Sequence, residues 1–284
     1  MAAPLMPMHR YVTQTRTVMK PGSLARWSSN LMGIVALLIT GAAAAADVHV
    51  MISAGFYQAY SELAPAFERS SGHRLVTTRG PSLGDSSESI PNRLKRGEPA
   101  DVVIVAGASI DDLSRQGFVR AGSKVDLARS EIGMVVRAGA AKPDIGSVDA
   151  FRRTLIEAKS IAYSDSASGI YLSTTLFAKL GIADQVASKS RKVKGPPSGE
   201  PVAAVVARGE AEIGFQQVSE LIDVPGVTFV GAIPAQLQQE TFYSAALANA
   251  VKQPEAATAL IRFLASPEAA PAISKAGLAP LSGR

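Results

Sequence analysis

The chain contains no cysteine. Disulfides, thiolate metal sites, thiol nucleophiles and a lipid-modified N-terminal cysteine are therefore excluded. Tryptophan occurs once, at Trp27, and histidine only at His9, His49 and His73. So few imidazoles leave little material for a histidine metal site or a catalytic triad, and none falls in an H-E-x-x-H spacing. A G-x-S-x-G nucleophile elbow, a G-x-x-x-x-G-K-[ST] phosphate loop and a helix-opening G-x-G-x-x-G are also missing.

Acidic residues are absent from the first 46 positions, which carry Arg10, Arg16, Lys20 and Arg26. An apolar run, Leu31 to Ile39, follows, and then Gly41-Ala42-Ala43-Ala44-Ala45-Ala46. A basic region, a short apolar core and a small-residue exit predict a cleavable secretory signal peptide over 1–46. The apolar run is short of the roughly 20 residues that a membrane span needs unless the alanines are counted. The whole chain has 29 basic and 24 acidic residues, a net charge of +5. Without the four basic leader residues, 25 face 24, a net charge of +1 for residues 47–284. The basic excess thus belongs to the leader and gives no reason to expect nucleic-acid binding. Export without an anchor predicts a periplasmic protein, expected to be a monomer.

The remaining chain alternates strand and helix patterns. Val48–Ser53 reads as a first strand. Phe56, Tyr60, Leu63 and Phe67 then recur on one face of a helix that contains Pro65. Arg74–Thr78 and the apolar run Asp101–Val105 read as further strands, the latter covered on both faces. A second block repeats the pattern, with strands at 131–137, 160–163, 212–216, 227–230 and 241–247. Helices are expected at 148–158, from Ser168 to about Leu180 and at 201–208, and two more close the chain. This rhythm predicts an α/β fold with mixed, mostly parallel sheets flanked by helices. Two lobes fit the element count: 47–128 with 240–284, and 129–239, joined by extended crossings near 126–132 and 236–243.

Three small-polar segments stand where strands hand over to helices. They are Ser53-Ala54-Gly55, the loop Ser82–Ser87, and Ser164-Asp165-Ser166-Ala167-Ser168-Gly169. In an open α/β sheet ligands lie at the carboxyl ends of the strands, and helix N-termini favour anions. Together the segments predict one anion site. Asp165 is a candidate carboxylate ligand, with no partner carboxylate at a useful spacing. No cofactor or metal is expected.

The stretch Gly97-Glu98-Pro99-Ala100-Asp101-Val102-Val103-Ile104 resembles the G-x-P-A-D-[VL]-[VF]-[IV] run of the molybdate-binding proteins of ABC importers, within the type II periplasmic binding proteins. Ser168-Gly169-Ile170-Tyr171 resembles that family's A-G-I-Y, and Val206–Gly214 its helix-to-strand element. The resemblance covers nearly all of 47–284. It implies two lobes closing on an oxyanion such as molybdate or tungstate, and a membrane permease and ATPase as partners. It places ligand contacts at Ala54, Gly55, Ser82, Ser86, Ser87, Ser168, Gly169, Gly199 and Gln217. Two positions depart from the family pattern. Gly55 stands where a serine is usual, and Gln217 stands where a tyrosine is usual. Arg79, at the mouth of the Ser82–Ser87 loop, adds a fork suited to a planar carboxylate. A small organic di- or tricarboxylate is therefore the alternative ligand, for transport or sensing. The rival of another class is an exported hydrolase using Ser168 or Ser86, which would need His49 or His73 as its base.

Overall fold

The computed structural model describes residues 45–281, so the expected leader falls almost wholly outside the described residues. The strands are β1 (Asp47–Ile52), β2 (Arg74–Arg79), β3 (Val102–Ala106), β4 (Val125–Ser130), β5 (Ile132–Arg137), β6 (Ile161–Ser164), β7 (Ser190–Val193), β8 (Ile213–Gln217), β9 (Val227–Ala232), β10 (Thr241–Leu247) and β11 (Ala279–Pro280). The α-helices are α1 (Ala54–Ser71), α2 (Ile90–Lys95), α3 (Gly107–Arg115), α4 (Val148–Glu157), α5 (Ala167–Tyr171), α6 (Phe177–Lys179), α7 (Ala183–Ala187), α8 (Val202–Ala207), α9 (Pro254–Leu264) and α10 (Ala270–Lys275).

Two sheets result. The first runs β11-β4-β10-β3-β1-β2 and the second β7-β6-β8-β5-β9. Both are mixed: β1 lies parallel to β2 and β3, while β10 returns antiparallel between β3 and β4. In the second sheet β6 is parallel to β7 and β8, while β5 is antiparallel to β8 and β9. The antiparallel share is larger than the sequence reading expected, because the strands adjoining the crossings enter their sheets against the βαβ direction.

Alternation along the strands explains why both faces are dry. In β3, Val102 and Ile104 join one apolar cluster with Phe56 and Tyr60 of α1, while Val103 and Val105 join another with Ile110 and Leu113 of α3. The second sheet does the same, with Ile132 and Met134 on one face and Val135 packed against α8 on the other. A strand covered twice must be apolar throughout, which is the pattern read in 101–105.

Pro65 does not break α1, which continues to Ser71. Pro65 is exposed, so the hydrogen bond it forgoes lies on the solvent side, where water meets the freed carbonyl. The helix expected from Ser168 instead begins at Ala167 and passes through a π turn, Leu172–Leu176, before α6. Strand β7 was not foreseen. It carries exposed Arg191 and Lys192 and pairs only with β6, so its charges sit at a sheet edge, where they cost little.

Two short links pass between the sheets, at Ser130–Glu131 and at Gln238–Glu240. The Gln238 side chain ties them: its Oε1 accepts from the Ile132 N–H (2.9 Å) and its Nε2 donates to the Ile132 carbonyl (2.8 Å). Arg129 and Glu240 add an ion pair at 2.8 Å across the same place.

The Asp of the G-x-P-A-D stretch serves the fold rather than a site. Asp101 is buried, and its carboxylate accepts from the backbone N–H groups of His49 (2.8 Å), Lys252 (2.7 Å) and Gln253 (3.1 Å). It thereby fastens β1 to the start of α9, whose N-cap Gln253 makes no side-chain cap of its own.

Candidate functional site

The three small-polar segments converge. One pocket between the sheets is walled by Ser53, Ala54, Gly55, Arg79 and Ser82 from the first sheet's loops, and by Ser164, Asp165 and Ser166 from the end of β6. Gly195, Gln216 and Glu220 complete the second sheet's wall, and Tyr243 of β10 closes the first. The cavity is narrow, about 30 Å³, room for no more than a water or two.

Each wall residue is placed by its backbone. The Ser53 and Gly80 N–H groups are spent on Ile104 and Ile52 carbonyls (2.9 and 3.1 Å), which fix the ends of β1 and β2. Helix α1 starts at Ala54, with Ser53 as its N-cap making no side-chain cap bond, and the Ser53 hydroxyl is buried without a partner. Ser82 is buried and accepts from the Ala106 N–H (3.1 Å), holding its loop against the end of β3.

Arg79 stacks over the Tyr57 ring, its guanidinium carbon 3.9 Å from the ring centroid. Its Nε is buried and has no hydrogen-bond partner. An unpaired buried donor on a charged group is costly unless an acceptor arrives. Opposite it stand two carboxyl groups. Asp165 accepts from the Gly195 N–H (3.1 Å), and Glu220 accepts from Gln216 Nε2 (2.5 Å). Burial pushes the Glu220 carboxyl up to about 7, further raised by Asp165 and held back by the Gln216 bond and the Arg79 charge. Burial, with Glu220 nearby, also pushes the Tyr243 phenol well above its usual range.

Gly55 has a steric explanation. A Cβ there would lie 1.7 Å from the Tyr243 hydroxyl oxygen and 2.2 Å from Cζ. The phenol of β10 occupies the space that a serine side chain at 55 would need. Gly55→Ser is therefore expected to force the ring aside and cost about 2 kcal/mol, an ordinary overpacking penalty. The double change Gly55→Ser with Tyr243→Leu should recover part of it. Urea unfolding of both variants checks this, and a Gly55→Ser variant as stable as the parent would show that the ring moves freely.

Of the expected contacts, Ala54, Gly55, Arg79 and Ser82 lie on the wall, and the others do not. Ser86 and Ser87 sit beyond it: Ser86 Oγ accepts from the Glu88 N–H (3.2 Å), Ser87 is exposed, and α2 starts only at Ile90. Ser168 is buried at the second position of its helix and shares a hydrogen bond with Ser164 Oγ (3.1 Å). Gly169 lets α5 press onto β6, since a Cβ would meet the Ser164 carbonyl oxygen at 1.7 Å. The Gly199 N–H is spent on the Gly195 carbonyl (3.1 Å). Gln217 is turned toward the crossing, where its Nε2 donates to Thr241 Oγ1 (3.0 Å), and its neighbour Gln216 takes the wall. Side chains alternate along a strand, so a one-residue error in placing the strand end exchanges the two glutamines.

Neither histidine reaches the wall: His73 Nδ1 accepts from the Ala46 N–H (3.3 Å), and His49 lies beside Asp101 at a separate pocket. The serine–histidine hydrolase expectation loses its base. Glu220 and Tyr243 were missed in the sequence. Glu220 stands alone in a short 3-10 turn, Val218–Glu220, and Tyr243 sits in an ordinary strand, so neither carries a local signal. Asp165, read as a carboxylate without a partner, has Glu220 across the pocket.

Residues 48–279 match the family model described as bacterial extracellular solute-binding protein. The chain is 48% identical over 232 residues to an aconitate isomerase from a Pseudomonas species, which covers 82% of this chain and 87% of that protein. It is 30% identical over 234 residues to the molybdate-binding protein of Azotobacter vinelandii, covering 80% of this chain and 87% of that one. A solved structure of the periplasmic molybdate-binding protein of the same organism superposes with a TM-score of 0.65 at 22% identity, over 81% of this chain and 98% of the other, a likeness of fold.

Proposed function

This chain belongs to the bacterial extracellular solute-binding proteins, and on that footing we propose that its cleft takes a small unsaturated polycarboxylate of the aconitate class and interconverts its cis and trans forms. The observation that carries this reading is the Arg79 guanidinium, stacked on Tyr57 with its Nε buried and unpaired at the pocket. A planar carboxylate meets a guanidinium through two parallel hydrogen bonds, a match that a tetrahedral oxyanion makes less well. The second support is the pair Asp165 and Glu220. Ionised carboxylates repel any polyanion, but a carboxyl group that can hold a proton donates a hydrogen bond to a ligand carboxylate. The third is the 48% identity to an aconitate isomerase, well above the 30% to a molybdate-binding protein.

The narrow cavity implies that the two sheets part to admit such a ligand and close on it, with the tied crossings as the hinge. Membership of this family implies a small ligand and the permease and ATPase of an ABC importer as partners. We place the protein in the periplasm, where the expected leader would send it. Titration calorimetry with cis- and trans-aconitate, citrate, molybdate and sulfate, together with proton NMR of aconitate left with the protein, tests the reading. Heat with aconitate and growth of the second isomer are expected. Heat with molybdate alone would restore the oxyanion ligand and overturn the proposal.

A further inference from the structure

We propose that Glu220 is the catalytic residue that carries the proton in this cleft, with Gln216 positioning its carboxyl group. The assignment deepens the aconitate reading and rests on it. Glu220 shares the pocket wall with Arg79, Gln216 and Tyr243. Its carboxyl is held from one side only. Gln216 Nε2 donates to Oε2 at 2.5 Å, which leaves Oε1 for an occupant. The Gln216 amide cannot readily turn over, because its Oε1 accepts from the Val202 N–H at the start of α8 (3.3 Å). The turn that bears Glu220 is anchored across the cleft as well, by the Ser219 hydroxyl donating to the Gly55 carbonyl (2.7 Å). Closure of the cleft and placement of Glu220 are therefore one event.

The chemistry asks for such a group. Aconitate has a methylene flanked by a carboxylate and a carbon–carbon double bond. Changing its cis or trans geometry without a cofactor needs either transient addition of a nucleophile or movement of a proton. The chain has no thiol to add, and both histidines of the described residues lie elsewhere. In the proton route the Glu220 carboxylate takes a methylene hydrogen as a proton, and the C–H electron pair spreads over the three-carbon unit and its carboxylate. The protonated Glu220 then returns the proton to the far carbon of that unit, where a new C–H bond forms as the double bond moves. The molecule is aconitate again, nothing is oxidised or reduced, and Glu220 recovers its starting form. Arg79 faces the carboxylate on which charge builds, the kind of fixed partner that lowers such a barrier. Burial among these groups brings Glu220 to about 7, so both of its forms are populated at neutral pH, as a residue that takes and returns a proton requires.

The test compares the parent protein with Glu220→Gln and Glu220→Asp, measuring aconitate binding by calorimetry and conversion by NMR, with ordinary and methylene-deuterated aconitate. The parent should convert the deuterated substrate more slowly. Glu220→Gln should still bind but lose about 100-fold or more in kcat, while Glu220→Asp keeps part of it. Conversion by Glu220→Gln close to the parent rate, or no slowing by deuterium, would overturn the assignment and leave the functional reading standing. A parent that binds aconitate without converting it overturns the assignment and reduces the function to binding. A parent that does not bind it removes both. Should Glu220→Gln fail to bind, Glu220→Asp decides: a lowered kcat at unchanged KM supports the proposal, and an unchanged kcat ends it.

Discussion

Replacing Arg79 by glutamine is expected to weaken aconitate binding by about 100-fold to 1,000-fold, the largest effect on affinity of any single change in the pocket. The estimate follows from the geometry. A partly buried guanidinium that meets a carboxylate makes two charge-assisted hydrogen bonds, each worth roughly 1.5–3 kcal/mol. Glutamine keeps one donor group and some of the stem but loses the charge and the second donor. Arg79→Lys should be impaired too, because an ammonium on a flexible stem neither forks onto a carboxylate nor stacks flat on Tyr57. The change should leave folding nearly intact. Arg79 is the last residue of β2, where the backbone register with Ile52 does not depend on the side chain. Calorimetry for affinity and thermal unfolding for integrity separate the two effects. Unchanged affinity in both variants would make Arg79 a packing partner of Tyr57 and nothing more.

Asp101→Ala is expected to cost about 4 kcal/mol of stability, a large part of the roughly 5–15 kcal/mol that holds a domain together. The alanine removes one acceptor group and orphans three backbone donors at once, those of His49, Lys252 and Gln253. Asp101 is 1% exposed, so water cannot replace the lost acceptor without opening the packing between β1 and α9. Asp101→Asn should cost less but still destabilise, since one amide oxygen can serve Lys252 and Gln253 while the NH2 is turned against the His49 N–H. Urea unfolding should show a lower midpoint with little change in slope. A loss under about 1 kcal/mol for the alanine variant would mean that the staple is redundant. Ligand affinity in the folded fraction should not change, because Asp101 lies away from the pocket wall.

How much of this could be read from the residues differs by element. Strand β3 was legible because burial on both faces demands an unbroken apolar run, and α1 because its apolar stripe keeps helical spacing even across Pro65. The Ser53, Ser82 and Ser164 segments were legible because small polar residues at strand ends are a local pattern. Contact by contact the reading was poorer. Ser86 and Gly199 spend polar groups inside their own loops, Ser168 shares its hydroxyl with Ser164, and Ser87 is exposed, and local geometry of that kind has no periodicity to betray it.

The sequence alone determined the α/β alternation, the exclusion of thiol chemistry, and the segments that meet around the cleft. These follow from composition and from patterns a few residues long. Only the tertiary structure decided that Tyr243 fills the place left by Gly55, that Gln216 rather than Gln217 faces the pocket, and that Asp165 has Glu220 across from it. Those juxtapositions join residues far apart in the chain. Sheet order and side-chain alternation create them, along with the burial that pushes Glu220 to about 7, and no local pattern encodes them.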